Sequence, residues 1–295
     1  MANVSVTTNE ANIPIGFDKD IIQAIQYETV LQPTVKHYAW NKSMGQTIVT
    51  NRGVNWEKQI KVPGVQITPT SYSTTSEMLY IDTFEISALL LEDFGKLFIP
   101  DNVLASEAQS MGYALARGVD TTISNLYQSF SASVSGTAYN VELTFANALA
   151  ASRMLRVGGV KPGVDKTFFV ISPQQTEAFK NMEVFTNSLY AGQAGIDNFK
   201  KATLAQSTTL GATIVESMLL RAPAGGGHDM AMYAMDAIGI AFAQEPQLFT
   251  DWIGPDLGEM KGYKQGYGVK RSYRTVETPG SPALTDAWAA LMKGV

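Results

Sequence analysis

Two histidines, His37 and His228, are the only imidazoles in the chain, so a Ser-His-Asp arrangement would have to use one of them. His228-Asp229 follows Gly225-Gly226-Gly227, a loop that could present a general base. The competing reading is a polar residue in a surface loop, because a lone histidine carries little information. His37 lies beside Tyr38 and Trp40 and reads as a packed residue. Glu92-Asp93 offers two carboxylates, but neighbours on a strand point to opposite faces, which favours a solvated turn before Gly95 over an acid/base pair. Lys261, Lys264, Lys270, Arg271 and Arg274 lie in a stretch without acids from 260 to 276, interleaved with Tyr263, Tyr267 and Tyr273. Such a run could bind nucleic acid through phosphate contacts and stacking. It could equally meet acidic residues of a neighbouring subunit, and a net charge of −5 favours that second reading. The segment with Trp56, Lys58 and Lys61 has the same two readings and the same preference.

The remaining chemistry is narrow. There is no cysteine, which removes disulfides, thiolate nucleophiles, zinc ribbons and iron–sulfur clusters. The sequence has no Gly-x-Ser-x-Gly, His-Glu-x-x-His, Walker or Gly-x-Gly-x-x-Gly motif, and its acids lack calcium-loop spacing. No catalytic residue, cofactor site or metal ligand is therefore assigned, and no cofactor is expected. The 295 residues are 45% hydrophobic and only 17% charged, which fits a large globular core and surface hidden against partners. The apolar runs are too short to span a bilayer, and Met1 to Val6 does not read as a signal peptide.

The elements follow from periodicity. After an irregular start, Asp18 can cap a short helix carrying Ile21, Ile22 and Ile25 and ending before Pro33. Such a helix needs another surface for its apolar face. Val54, Trp56, Ile60 and Val62 alternate with polar residues as a half-buried strand between Asn51-Arg52-Gly53 and Pro63-Gly64. Residues 47–50 and 65–67 are its expected partners, and a Ser/Thr-rich linker follows at 70–76. A lone hairpin is marginal in water, so it should lie on its own body or on a neighbour. Residues 101–131 give the strongest helix signal, through Leu104, Ala108, Met111, Leu115, Val119, Ile123, Leu126 and Phe130. At 1.5 Å per residue that spine would measure about 45 Å.

Residues 140–251 read as a compact α/β unit. A helix over 145–156 closes at Gly158-Gly159, and 167–171 is a buried strand. Ser172-Pro173-Gln174-Gln175 opens a further helix, with Ser172 as cap and Gln175 completing a capping box. Strands are expected at 212–216, 230–235 and 237–243, and a long strand at 262–277. A tail helix with Leu284, Trp288 and Leu291 is expected to close the chain.

This order of parts resembles the major capsid proteins of tailed phages, the Hong Kong phage capsid fold. Shorter pieces are similar to family members as well: Ile13-Pro14 leading into the arm helix, Phe168 to Pro173 entering a helix, and Ala237 to Ala243 before the final return. The resemblance implies an α+β fold with an N-terminal arm (1–44), an extended hairpin loop (45–78) and a peripheral domain with the spine helix (79–133). It further implies an axial domain (134–251), peripheral return strands (252–280) and a C-terminal tail (281–295). It implies a non-enzymatic subunit that assembles with itself in hexamers and pentamers into an icosahedral shell around double-stranded DNA, touched non-specifically on the inner face. Portal, scaffold and decoration proteins are further candidate partners, the virion is the implied location, with assembly in the host cytoplasm, and no membrane is implied. Inter-subunit contacts are expected at Ile21, Ile22, Ile25, Arg52, Trp56, Lys58, Ile60 and Lys61. Family crosslinking chemistry is not carried over to Lys58 or Lys61, because no motif marks them. An encapsulin-like compartment shell is the alternative, and a cytosolic α/β hydrolase using His228 is the alternative from another class.

Overall fold

The computed structural model describes residues 3–4, 29–53, 60–61, 63–64, 66, 74–92, 101–161, 164–182, 210–224, 226–253, 258–272, 274–276, 283–285 and 288–294. The chain gives β1 (Asn3–Val4), β2 (Lys36–His37), β3 (Thr47–Gly53), β4 (Thr74–Tyr80), β5 (Thr83–Glu92) and the spine helix α1 (Asp101–Asn125). Then follow α2 (Phe145–Val157), β6 (Thr167–Ile171), α3 (Pro173–Lys180), β7 (Thr213–Glu216), β8 (His228–Ala234) and β9 (Ile238–Ile253). The last elements are β10 (Gly258–Arg271), β11 (Arg274–Val276), β12 (Ala283–Thr285) and β13 (Ala289–Gly294). Two main sheets result, a five-stranded one ordered β1-β5-β10-β9-β2 and a four-stranded one ordered β13-β8-β6-β7. Two two-stranded ribbons, β3-β4 and β11-β12, complete the α+β architecture.

The spine helix starts at Asp101 as its sequence predicts, but its α-helical part stops at Asn125 and tightens into a 3-10 turn, Leu126–Ser129. Its length is therefore about 37 Å rather than 45 Å. Leu115, Val119, Ile123, Tyr127 and Phe130 are buried at helical spacing. The core gathers Val119, Ile123, Tyr127, Phe169, Ile171, Met230, Met232, Tyr233, Ile238 and Tyr267 into one cluster, so one core is shared by both sheets. Strands β8 and β9 are joined only by a 3-10 turn, Met235–Ala237, which carries the chain from one sheet to the other.

Three expectations are corrected. β3 pairs with β4, Ile48 opposite Leu79 and Arg52 opposite Thr75, so the Ser/Thr-rich stretch is partly strand; most of the strand expected at 54–62 lies outside the described residues. Threonine's β-branched side chain suits a pleated ribbon, which the linker reading undervalued. The segment with Leu291 is not helix: β13 pairs antiparallel with β8, Leu291 opposite Ala231, and Ala289 to Met292 are all buried. A short strand buried on both faces has no alternation, so its apolar run mimics a helix. The third concerns Gln175. Ser172 caps α3 by accepting from the Gln175 amide at 3.1 Å. The Gln175 side chain, however, brackets Leu143, accepting from its N–H at 2.7 Å and donating to its carbonyl at 3.0 Å. It stitches the loop before α2 to α3 instead of closing a capping box.

The spine helix is seated on the sheet by a polar joint. Gln265 Nε2 donates to Glu85 Oε2 at 2.7 Å and to the Leu115 carbonyl at 3.1 Å, and Tyr267 donates to Glu85 Oε1 at 2.9 Å. Thr122 Oγ1 lies 3.0 Å from the Tyr267 hydroxyl. Helix and carboxylate approach so closely at Gly118 that a Cβ there would sit 2.5 Å from Glu85 Oε2. Helix propensity alone favours Gly118→Ala by about 1 kcal/mol. The contact predicts the opposite sign, a net loss of about 1–2 kcal/mol measured by denaturant unfolding, because Glu85 is pinned by its two donors.

Candidate functional site

The ribbon β3-β4 has two unlike faces. Its inner face, Ile48 and Leu79, packs with Ile81 and Ala241 against Tyr38, Trp40 and Ala243. The seat is tight, because a side chain at Gly268 of β10 would run into the Tyr80 carbonyl. Lys270 fastens the ribbon by donating to the Met78 carbonyl at 2.6 Å, and the Ile81 amide donates to the Gln46 carbonyl at 2.9 Å. The outer face is left in solvent: Val49 and Met78, which are cross-strand partners, are 52% and 41% exposed, and Tyr80 is 54% exposed. Fully burying one such side chain contributes about 1.5–3 kcal/mol, so a partner covering these three gains several.

A second apolar patch lies on the five-stranded sheet. Glu85 faces the spine helix, so its neighbours Phe84 and Ile86 point the other way, and both are 67% exposed. Gly266 and Lys264 are their partners on β10. The absent side chain of Gly266 lets Phe84 lie across the strand, and the Lys264 ammonium sits 5.7 Å from the Phe249 ring. Leu248 and Trp252 on β9 are exposed as well, but their partners Tyr263 and Glu259 place them on the opposite face of the sheet from Phe84 and Ile86.

The expected contact residues are only partly placed. Arg52 is in β3, and Ile60 and Lys61 are exposed beyond the ribbon. Ile21, Ile22, Ile25, Trp56 and Lys58 lie outside the described residues. The basic run does not simply await an acidic neighbour: Lys270 holds the ribbon, Lys264 covers Phe249, and Lys261 pairs with Glu259 at 3.4 Å. The partners of Lys270 and Lys264 lie on β4 and β9, which the sequence could not show, whereas Glu259 is on β10 itself.

His228 does not form a triad with its neighbour. It is the first residue of β8, so Asp229 points to the opposite face. The Asp229 carboxylate is buried and committed elsewhere, accepting from Arg221 Nη1 at 2.7 Å and from the Tyr139 hydroxyl at 2.7 Å. Burial and the bond to Asp229 push the Tyr139 hydroxyl pKa up. Among the described residues His228 Nδ1 has no hydrogen-bond partner.

Sequence reasoning missed a second buried carboxylate. Asp120 on the spine helix accepts from three successive backbone amides, Val30 at 2.8 Å, Leu31 at 3.2 Å and Gln32 at 3.2 Å. Beside it, Thr34 donates to the Leu31 carbonyl at 2.6 Å, and its Oγ1 lies 2.6 Å from the Tyr233 hydroxyl. Tyr127 extends this chain at 3.2 Å. Burial pushes the Tyr233 pKa up to about 12, against the opposing effect of these bonds. The available signal was the row Asp120, Ser124 and Tyr127, which flanks the apolar stripe at helical spacing.

No family model matches the sequence, and no curated protein matches it. Solved structures do. The capsid structure of the cyanophage P-SCSP1u is similar with a TM-score of 0.71 at 12% identity, over 97% of this chain and 94% of that one. The acid-stable capsid structure of the Helicobacter pylori bacteriophage KHP30 gives 0.70 at 11% identity, over 100% and 98%. The mature capsid of bacteriophage PhiM1 gives 0.68 at 15% identity, over 94% and 90%. The chain thus has the α+β phage capsid fold of the Hong Kong type.

Two outcomes are expected from the buried polar groups. Removing the guanidinium with Arg221→Met leaves Asp229 held by Tyr139 alone and costs up to about 3 kcal/mol in denaturant unfolding. Tyr233 stays protonated in the folded state above pH 10, whereas the unfolded chain loses that proton there. Its contribution is therefore fully present below pH 10. It declines between pH 10 and about 12, by at most about 1.4 kcal/mol per pH unit. Spectrophotometric tyrosine titration should show a group ionising above pH 11 in the wild type that is missing in Tyr233→Phe.

Proposed function

We propose that this chain is the major capsid protein of a tailed double-stranded DNA phage, a structural subunit that assembles with itself in hexamers and pentamers into an icosahedral shell. The observation that carries the reading is the fold match, which spans nearly the whole of this chain and of the capsid subunits it resembles. These matches cover 94–100% of this chain and 90–98% of those subunits.

The physical arrangement supports the same reading. The ribbon β3-β4 is anchored on its own subunit by one face and offers Val49, Met78 and Tyr80 on the other. The patch of Phe84 and Ile86 is a second uncovered apolar area on the same body. Surfaces of this kind favour association, and a closed lattice can use weak contacts because every subunit is held several times over. The arm is assigned to 1–44, the extended loop to 45–78, the peripheral domain to 79–133 with 252–280, the axial domain to 134–251 and the tail to 281–295. In this assignment β13, in the tail, completes the axial sheet. The contact residues proposed on the arm and loop are Ile21, Ile22, Ile25, Arg52, Trp56, Lys58, Ile60 and Lys61. Enclosed double-stranded DNA, a virion location after assembly in the host cytoplasm, and a subunit without enzymatic activity belong to the same proposal. So do portal, scaffold and decoration proteins as candidate partners.

The test is the particle. Expressed chain examined by size-exclusion chromatography and negative-stain microscopy is expected to form megadalton shells. The paired substitution Val49→Asp with Met78→Asp should leave a folded, soluble subunit and reduce shells at least tenfold. A wild-type chain that stays monomeric at high concentration overturns the proposal. Particles purified from infected cells should hold the genome; shells that enclose enzymes instead favour a compartment protein.

A further inference from the structure

The segment from Thr29 to Tyr38 touches every major layer of the molecule. Its first turn, the 3-10 helix Gln32–Thr34, is held at Asp120 of the spine helix by the amides of Val30, Leu31 and Gln32. Thr34 reaches Tyr233 on β8 of the four-stranded sheet. Strand β2 then pairs in parallel with Gly239 and Ile240 of β9 in the five-stranded sheet. Tyr38 donates its amide to the Ile240 carbonyl at 2.8 Å, and its ring fills the space above Gly239 where any side chain would clash. Lys36 pairs with Asp236 in the turn between β8 and β9 at 2.8 Å. Leu31 and Val35 are fully buried within this strap.

We infer that Asp120 is the positioning residue of the N-terminal arm: by gathering three backbone amides, it fixes where and in which direction the chain enters its second tie to the body at Thr29, the first being β1 on β5, and so how the arm between the two ties is presented to a neighbouring copy. The inference rests on the shell reading for its consequence, but the clamp itself belongs to the isolated subunit. Only a short acceptor with two oxygens satisfies three converging donors at 2.8–3.2 Å without moving the helix. An uncharged or truncated side chain leaves one or more of these amides buried and unsatisfied, so the turn should open locally before the core does.

Hydrogen exchange on the full, unassembled chain tests the clamp. The amides of 30–32 should be protected in the wild type. Exchange there should accelerate about tenfold in Asp120→Asn, which keeps one acceptor oxygen, and further in Asp120→Ala, while Met230 to Tyr233 in β8 stays protected. Thr34→Val, which removes a hydroxyl from the same turn without touching the carboxylate, should accelerate the same amides, which keeps the test open if the Asp120 variants fail to fold. Wild-type amides at 30–32 that exchange freely, or protection lost equally across β8, overturn the clamp. Microscopy then reads the consequence: open, aberrant or polydisperse particles from folded Asp120→Asn are expected. Wild-type-like shells from a variant with opened 30–32 amides overturn the positioning role and leave the shell reading intact. A wild type that forms no particles while its 30–32 amides are protected overturns the shell reading and leaves the clamp.

Discussion

Burying a carboxylate costs several kcal/mol unless donors meet it, and this constraint organises the subunit. Asp120 takes backbone amides from the strap, Asp229 takes Arg221 and Tyr139, and the half-buried Glu85 takes Gln265 and Tyr267. In each case the donors come from chain segments that the apolar core alone would hold only loosely in register. Hydrophobic burial supplies the bulk of the driving force but is indifferent to direction, whereas these directional bonds set the seat of the spine helix, the start of the strap and the start of β8 in the four-stranded sheet. Gly118 belongs to the same design, because only a residue without a side chain lets the helix come down onto Glu85.

Against that fixed interior, the apolar surface is unevenly spent. The ribbon buries Ile48 and Leu79 on its own body and leaves Val49, Met78 and Tyr80 uncovered. The sheet buries one face under the spine helix and leaves Phe84 and Ile86 in solvent. The strap is sewn into three layers, while the residues that precede it are joined to the described body at β1, beside Leu90 and Leu91. On the proposed shell reading, these faces are the ones that further copies would bury and the body itself does not.

Much of this was legible without coordinates. The start of the long helix, the buried strand at 167–171, the Ser172 cap and the turn at Pro63-Gly64 follow from local rules, and each is found where its residues place it. The departures share one cause. Leu291 lies in a strand and not a helix because its partner, Ala231, is remote in sequence. Thr74 and Thr75 join a ribbon because β3 lies across from them. Gln175 turns to Leu143, and Lys270 to the Met78 carbonyl, for the same reason. In every instance a distant partner overruled a local preference worth less than about 1 kcal/mol.

The amino-acid order by itself determined most of the element types, the amphipathic spine, the absence of cysteine chemistry and the succession of parts that resembles a shell protein, since these rest on composition and on periods of two and 3.6 residues. Only the tertiary structure decided which charges are internal fasteners and which faces remain open. Whether Lys270 is a ligand for a partner or a tie for its own ribbon, and whether Asp120 is a solvated helix residue or a buried anchor, depends on what lies within about 3 Å in space. That neighbourhood is set by strand register and layer packing, where a shift of a single residue exchanges the inner face for the outer.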